Sequence, residues 1–253
     1  MKTSGTHVII QARMGSTRLP GKILKPFIGE YTPLSWLIAR AKLSKYADKV
    51  IVATSVEERD DTTEAASKAA GAEVYRGSED DVLMRYHEAV VAFDTKIICD
   101  ITGDEPFFDL AEMDRMVEIL QSEGMDYLNN HPTLASGVGT QVYTRIAFDR
   151  VAREATTPYD HEHVTPYFYQ HPELFKQRDV APLVPHPLAP EVRLDLDEQR
   201  DLDFLIALAK GMGFMRPEQQ PSTNEMLDYL QSHPEVVVIN KEVVQKTFPR
   251  AYN

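Results

Sequence analysis

Short apolar runs alternate along this chain with segments whose apolar residues recur every three or four positions. Residues 7–10, 50–53, 73–75, 96–101 and 126–128 have the length and composition of strands. Val8-Ile9-Ile10 reads as a buried one. Between these runs Val82, Tyr86, Ala89, Val90 and Phe93 fall at helical spacing, as do Met113, Met116, Val117 and Leu120. Residues 62–70 are alanine-rich and stop at Gly71, which suits a helix C-cap. Strand and helix in alternation predict an α/β fold with a mostly parallel sheet flanked by helices.

The pattern changes after Asn130. A strand is expected at 141–144, a helix at 146–155, and a second helix at 158–170 that Pro166 disturbs. The proline-dense stretch 182–190 cannot be a central strand. Order returns at 192–196. A helix follows with Leu202, Leu205, Ile206 and Ala209 on one face, then a helix at 224–231 and an apolar run at 236–239. There is no internal repeat. One domain spanning 1–253 is expected, with residues 131–190 as an insertion in the sheet domain.

The first strand runs into Gln11-Ala12-Arg13-Met14-Gly15-Ser16-Thr17-Arg18-Leu19-Pro20-Gly21-Lys22. Such a loop can wrap a polyphosphate with backbone N–H groups while its cations neutralise charge. It matches neither the Gly-x-x-x-x-Gly-Lys-Ser/Thr loop nor the Gly-x-Gly-x-x-Gly fingerprint. The net charge is −12, yet the first fifty residues hold nine Lys or Arg against Glu30 and Asp48, so that segment is +7 and the remainder −19. A basic solvated face would give the same count. The arginines, however, stand at a strand's C-terminal end, where open α/β sheets bind ligands.

Composition narrows the function classes. A pI near 5.1 argues against nonspecific nucleic-acid binding. The single cysteine, Cys99, excludes disulfides and cysteine-rich zinc sites. No apolar stretch approaches membrane-spanning length and the N-terminus has no signal-peptide core, so a cytoplasmic enzyme is expected.

Three further segments carry chemistry. Ile101-Thr102-Gly103-Asp104-Glu105-Pro106 follows the run at 96–101, and Asp104 there can hold Mg²⁺ between triphosphate oxygens. The same residues also read as an ordinary turn. In Arg193-Leu194-Asp195-Leu196-Asp197 the two acids alternate with leucine and share a face. Asp197 also reads as a helix N-cap. In Tyr75-Arg76-Gly77-Ser78-Glu79-Asp80-Asp81-Val82-Leu83, Ser78 or Asp80 suits an N-cap, and the turn's polar groups also suit a nucleobase edge.

Taken in order, these segments resemble the cytidylyltransferases, a family that includes CMP-Kdo synthetases and acylneuraminate cytidylyltransferases. The spore coat polysaccharide biosynthesis protein F group is nearest. The match runs from Ile9 through Lys22, then Val52-Ala53-Thr54-Ser55, residues 76–83, Ile101-Thr102-Gly103-Asp104, and Tyr159-Asp160-His161-Glu162-His163-Val164-Thr165-Pro166-Tyr167. The resemblance implies a Rossmann-like, nucleotide-diphospho-sugar transferase-like fold whose insertion mediates dimerisation, here a homodimer. It implies CTP and an acceptor as substrates and pyrophosphate as a product. It places Arg13, Gly15, Ser16, Arg18 and Lys22 on the triphosphate, Asp104 and Asp197 on Mg²⁺, and Ala12, Thr54, Ser78 and Thr102 near the cytidine. Asp195 falls where the family has a non-acidic residue.

One segment departs from the family. A strand resembling Gly-Leu-Asp-Val-Glu-Val, near the acceptor, is here Gly137-Val138-Gly139-Thr140-Gln141-Val142, without either acid. This favours a small anionic acceptor, a sugar acid or a phosphonate, met by Gln141, Tyr159, Arg193 and one of His161 and His163. On a helix the two histidines would point to different sides, a poor spacing for a metal. The expected reaction is in-line attack on the α-phosphorus, with Arg13, Lys22 and Asp104 as catalytic residues. A metal-dependent glycosyltransferase and an inactive nucleotide-binding regulator are the rival readings.

Overall fold

The computed structural model describes residues 5–244. Its elements are β1 (Thr6–Gln11), α1 (Pro33–Ala41), β2 (Lys49–Ser55), α2 (Asp61–Ala69), β3 (Glu73–Gly77), α3 (Val82–Ala92), β4 (Ile97–Thr102), α4 (Leu110–Glu123) and β5 (Tyr127–Asn129). There follow β6 (Gln141–Thr144), α5 (Arg145–Glu154), α6 (Pro158–His163), α7 (Pro166–Gln170), β7 (Gln177–Asp179), α8 (Gln199–Met212), α9 (Thr223–Ser232) and α10 (Pro234–Val237).

The strands form one seven-stranded sheet in the order β3-β2-β1-β4-β6-β5-β7. Every pairing is parallel except those of β6, which runs antiparallel to β4 and β5. Successive residues of β1 point to opposite faces, and both faces are covered. Val8 and Ile10 join Leu37, Met116 and Val117 on one side, whereas Ile9 joins Ile51, Tyr86 and Phe148 on the other. Burial on both faces is why these strands are continuous apolar runs. A third cluster gathers Trp36, Phe107, Phe204, Leu208 and Phe214 beneath α8 and α9. There the Trp36 indole donates to Gln220 Oε1 at 3.1 Å.

Register sets the position of the site. Gln11, the last residue of β1, lies beside Thr102 of β4 and Ala53 of β2. The loops leaving these strands therefore start side by side. Gly103 N donates to Gln11 O at 2.9 Å, and a Cβ at Gly103 would meet that oxygen at 2.8 Å. Because β6 is antiparallel, its first residue, Gln141, reaches the same end, opposite Asp100 and Asn129.

Several expectations change in detail. Residues 158–170 are two short helices, broken where Val164 adopts φ 68° before Pro166. Residues 192–196 are extended but form only an isolated bridge between Arg193 and Ser136. The apolar run at 236–239 starts inside α10. Helix α2 ends at Ala69, and Gly71 closes it as expected, with φ at 79°, its N–H donating to Lys68 O at 3.0 Å and Ala72 N donating to Ser67 O at 3.0 Å. Helix α1 and strand β7 have no counterpart in the sequence reading. The segment 131–190 supplies β6 and β7 to the main sheet.

Candidate active site

Lys22 is the point on which three chain segments converge. Its ammonium donates to Asp104 Oδ2 at 2.8 Å, Asp197 Oδ1 at 3.1 Å and the Leu196 carbonyl at 2.6 Å. Arg18 pairs with the same Asp197 oxygen at 2.6 Å. The backbone fixes this meeting: Leu196 N donates to Asp104 O at 2.8 Å. Burial would lower the Lys22 pKa, but Asp104 and Asp197 outweigh it and raise it. Burial works to raise the Asp197 carboxyl, yet Lys22, Arg193 and Arg18 hold it below the usual range.

Two other acids behave differently. Asp195 is pushed up to about 6 by burial, with Ser136 Oγ donating to it and Asp104 adding repulsion. Burial, then Asp104 and Asp195, push Glu105 well above the ordinary carboxyl range. Its Oε1 lies 3.6 Å from His131 Nδ1.

These groups border a cleft of about 520 Å³. Gln11, Arg18, Thr102, Asp104, Glu105, Asp195 and Asp197 contribute to it from the first loop, the β4 loop and the segment before α8. Asn129, His131, Gln141, Tyr159, His163 and Thr165 contribute from the end of β5 and the region that follows it. The Tyr127 hydroxyl holds Gln141 Oε1 at 3.0 Å. The Tyr159 ring packs edge-on against His163 with centroids 4.6 Å apart, and its hydroxyl is buried without a hydrogen-bond partner.

Of the residues expected from sequence, the cleft thus gathers Arg18, Thr102, Asp104, Gln141, Tyr159, His163 and Asp197. Lys22 lies buried between its carboxylates. Others stand apart. Ala12 is buried, and Thr54 is wholly buried with its hydroxyl unpartnered. Ser78 is exposed, and its hydroxyl accepts from Asp81 N. The cap of α3 is Asp81, which accepts from Met84 N, rather than Ser78 or Asp80. His161 bonds Asp81 at 2.8 Å instead of lining the cleft.

Arg193 is buried rather than presented to an acceptor. It lies 2.9 Å from Asp197, 3.2 Å from Asp201 and 3.8 Å from Asp195. Nor is Asp197 a helix cap: Asp201 Oδ2 accepts from the backbone N–H groups of both Asp197 and Glu198. Asp197 is therefore left to the cations.

The sequence reading missed the residue that pins the first loop. Asp60, fully buried before α2, accepts from Met14 N at 2.7 Å and Thr63 Oγ1 at 2.9 Å, and its other oxygen bonds Ser55 Oγ. Ser16 N then donates to Met14 O at 2.9 Å. Gly15 lies against Glu79 and Arg59, and a Cβ there would come within 3.1 Å of Glu79 Oε1. His131, Asn129 and Glu105 were missed as well. Only Glu105 had a sequence signal, its place in Gly103-Asp104-Glu105-Pro106.

Among the described residues no group of three or more His, Cys, Asp or Glu is placed to hold a metal ion. Asp104 and Asp197 instead form a two-carboxylate set. Both contact one cation, the Lys22 ammonium, and their hard oxygens suit Mg²⁺ when phosphate oxygens and water complete its shell. No helix among the described residues is long and apolar enough to cross a membrane.

A cationic loop beside paired carboxylates, at the C-terminal ends of parallel strands, is an arrangement for a phosphorylated ligand. Comparison with known proteins agrees. The family model for Cytidylyltransferase matches residues 7–231. The chain is 35% identical over 234 residues to the spore coat polysaccharide biosynthesis protein SpsF of Bacillus subtilis, covering 90% of this chain and 94% of that protein. It is 32% identical over 189 residues to a 3-deoxy-manno-octulosonate cytidylyltransferase of Solibacter usitatus, covering 64% and 70%. A solved cytidylyltransferase structure from Leptospira borgpetersenii superposes with a TM-score of 0.85 at 31% identity, covering 97% of this chain and 99% of that one. With the match running through the first loop, the Asp104 turn and the Asp197 segment alike, the chain belongs to the cytidylyltransferase family.

Proposed function

We propose that this enzyme transfers the cytidylyl group of CTP to a small anionic acceptor, a sugar acid or a phosphonate, in a Mg²⁺-dependent reaction that releases pyrophosphate. An acceptor oxygen attacks the α-phosphorus in line, a new P–O bond forms, and the bond to the β-phosphate oxygen breaks. The observation that carries this reading is the convergence of Asp104 and Asp197 on Lys22 beside the cleft.

Arg18 and Lys22 bind triphosphate oxygens in this reading, and Lys22 stabilises charge that develops on the leaving group. Asp104 and Asp197 hold the metal, which, when bound, neutralises charge on the α-phosphate and acidifies an acceptor hydroxyl. Gln141, with Oε1 engaged by Tyr127, offers its amide N–H groups to acceptor oxygens. His131, His163 and Asn129 add donors along the cleft. Burial pushes the carboxyls of Glu105 and Asp195 toward their neutral forms, which lowers the cost of an anion nearby.

A pyrophosphate-release screen with CTP, Mg²⁺ and a panel of sugar acids and phosphonates tests the proposal. Replacing CTP with ATP, GTP or UTP in the same assay tests base choice. Transfer of sugar from a nucleotide-sugar without pyrophosphate release would overturn it. A homodimer formed through residues 131–190 belongs to the same reading, and sedimentation velocity tests it.

A further inference from the structure

Arg13 does not share the partners of Arg18 and Lys22. Its Nη1 donates to Glu79 Oε1 at 2.6 Å and to the Glu79 carbonyl at 3.1 Å. Arg59 donates from Nη2 to the same Oε1 at 2.8 Å. Arg85, on α3 and 2% exposed, donates to the carbonyls of Ser78 and Glu79. Among the described residues it has no carboxylate at ion-pair distance. Two guanidinium groups thus share one carboxylate oxygen, and a third holds the backbone beside it.

That carboxylate fits the cluster poorly. Glu79 Oε2 is buried with no donor, and Arg85 Nε is buried with no acceptor. Burial, then Arg13, lower the Arg85 pKa against the opposing pull of Glu79, Asp60 and Asp81. Buried charges are ordinarily paired, whereas Arg85 meets only backbone carbonyls within hydrogen-bond distance among the described residues. Its open side is the first loop itself. Glu79 Oε1 lies against Gly15, where a Cβ would come within 3.1 Å of it and within 3.5 Å of Arg59 Nη2.

We propose that Glu79 is a placeholder: a phosphate group of the nucleotide displaces its carboxylate from Arg13 and Arg59 and takes the seat against Gly15. Arg59 is then a binding residue and Glu79 an internal competitor. A terminal phosphate offers more charge and one more acceptor oxygen than a carboxylate, an inner one matches it in both, and guanidinium forks suit either. The inference rests on the reading of the first loop as a triphosphate site, and the test separates the two.

Calorimetry with CTP, and separately with inorganic pyrophosphate, on wild type, Glu79→Gln, Arg59→Ala and the double variant provides that test. Thermal melts verify that each variant is folded; Arg59 is half-exposed, so its removal spares the core. Glu79→Gln is expected to bind about fivefold tighter and Arg59→Ala about fivefold weaker. In the Arg59→Ala background the gain from Glu79→Gln should shrink, because the competitor has lost one anchor. The same shifts with pyrophosphate assign the seat to the leaving phosphates, and shifts with CTP alone assign it to the α-phosphate. Wild type that binds CTP while both single variants match it overturns the seat and leaves the enzyme reading intact. Wild type that binds pyrophosphate with both shifts, but no nucleoside triphosphate, overturns the CTP reading and leaves the seat standing.

Discussion

Lys22 Nζ lies 3.1 Å from Asp197 Oδ1, although 175 positions separate the two residues in the chain. Asp104 reaches the same ammonium at 2.8 Å. One buried cation therefore holds together the two acids proposed to bind Mg²⁺. Lys22→Ala should lower kcat by about 10²–10³ in a pyrophosphate-release assay. It should also destabilise the fold by about 1–3 kcal/mol, because two carboxylates lose their shared counter-ion. A change confined to acceptor KM would contradict the role given to Lys22.

Asp104→Asn keeps the size of the side chain and removes the charge. Mg²⁺-dependent turnover should fall below detection while the circular dichroism spectrum stays unchanged. Near-normal activity in a folded variant would sink the metal assignment.

Asp100, buried within β4, gives a pH-dependent expectation. Burial pushes its carboxyl from an ordinary 3.8 up to about 6, against hydrogen bonds from Tyr86 and Tyr143. The Tyr86 hydroxyl sits 2.7 Å from Asp100 Oδ1 and 2.8 Å from the Ile9 carbonyl, and it has one proton for two acceptors. A protonated Asp100 satisfies both. The folded chain thus binds this proton more tightly than the unfolded chain. The stability it contributes is complete below about pH 4 and is lost as pH rises to about 6. Asp100→Asn removes the titration. Relative to wild type, the variant should gain up to about 3 kcal/mol between pH 4 and pH 7 in urea melts. Parallel stability curves would refute this.

Gly137 tests the backbone under the site. With φ at +84°, a Cβ would sit 2.3 Å from Asp195 N and 2.4 Å from the Leu194 carbonyl carbon. Those are main-chain atoms of the segment that carries Asp195 and Asp197. Gly137→Ala should cost more than about 3 kcal/mol, and any folded fraction should lose activity. Wild-type melting and turnover would show that the segment can shift freely.

Gln220 joins the aromatic cluster to the loop after Asp104. Its Oε1 accepts from Trp36, and its Nε2 donates to the Phe107 carbonyl at 3.2 Å. Gln220→Leu leaves both buried partners unsatisfied and should cost about 1–3 kcal/mol. Chemical denaturation followed by the fluorescence of Trp36, the sole tryptophan in the sequence, provides the measurement.

The parts of the fold legible in sequence are those in which burial wrote a pattern. Val8-Ile9-Ile10 and Val50-Ile51-Val52 are covered on both faces, so their runs locate β1 and β2 within two residues. Strand β7 is Gln177-Arg178-Asp179 at the sheet edge, with no apolar residue to signal it. Helix α1 is buried on most sides, which erases the one-sided stripe that marks a helix. The same logic separates the site residues. Arg18, Lys22, Asp104 and Asp197 lie in motifs with a local signature. The contacts of Arg59 and Arg85 with Glu79, of Asp60 with Met14, and of His131 with Glu105 are tertiary pairings that carry none. Asp197 read equally well as a cap until the position of Asp201 decided the matter.

The strand order has a consequence for how the chain is made. β1 is synthesised before the other strands of this sheet, yet it lies inside it, between β2 and β4. Its β2 edge is closed once residue 55 is available, but its other edge waits for Thr102. At about 5–20 residues per second, translation leaves that edge open for several seconds. During that interval the nascent chain presents Val8-Ile9-Ile10 to any neighbouring polypeptide, so soluble yield should depend on growth temperature and chaperone supply more than the stability of the finished fold would indicate.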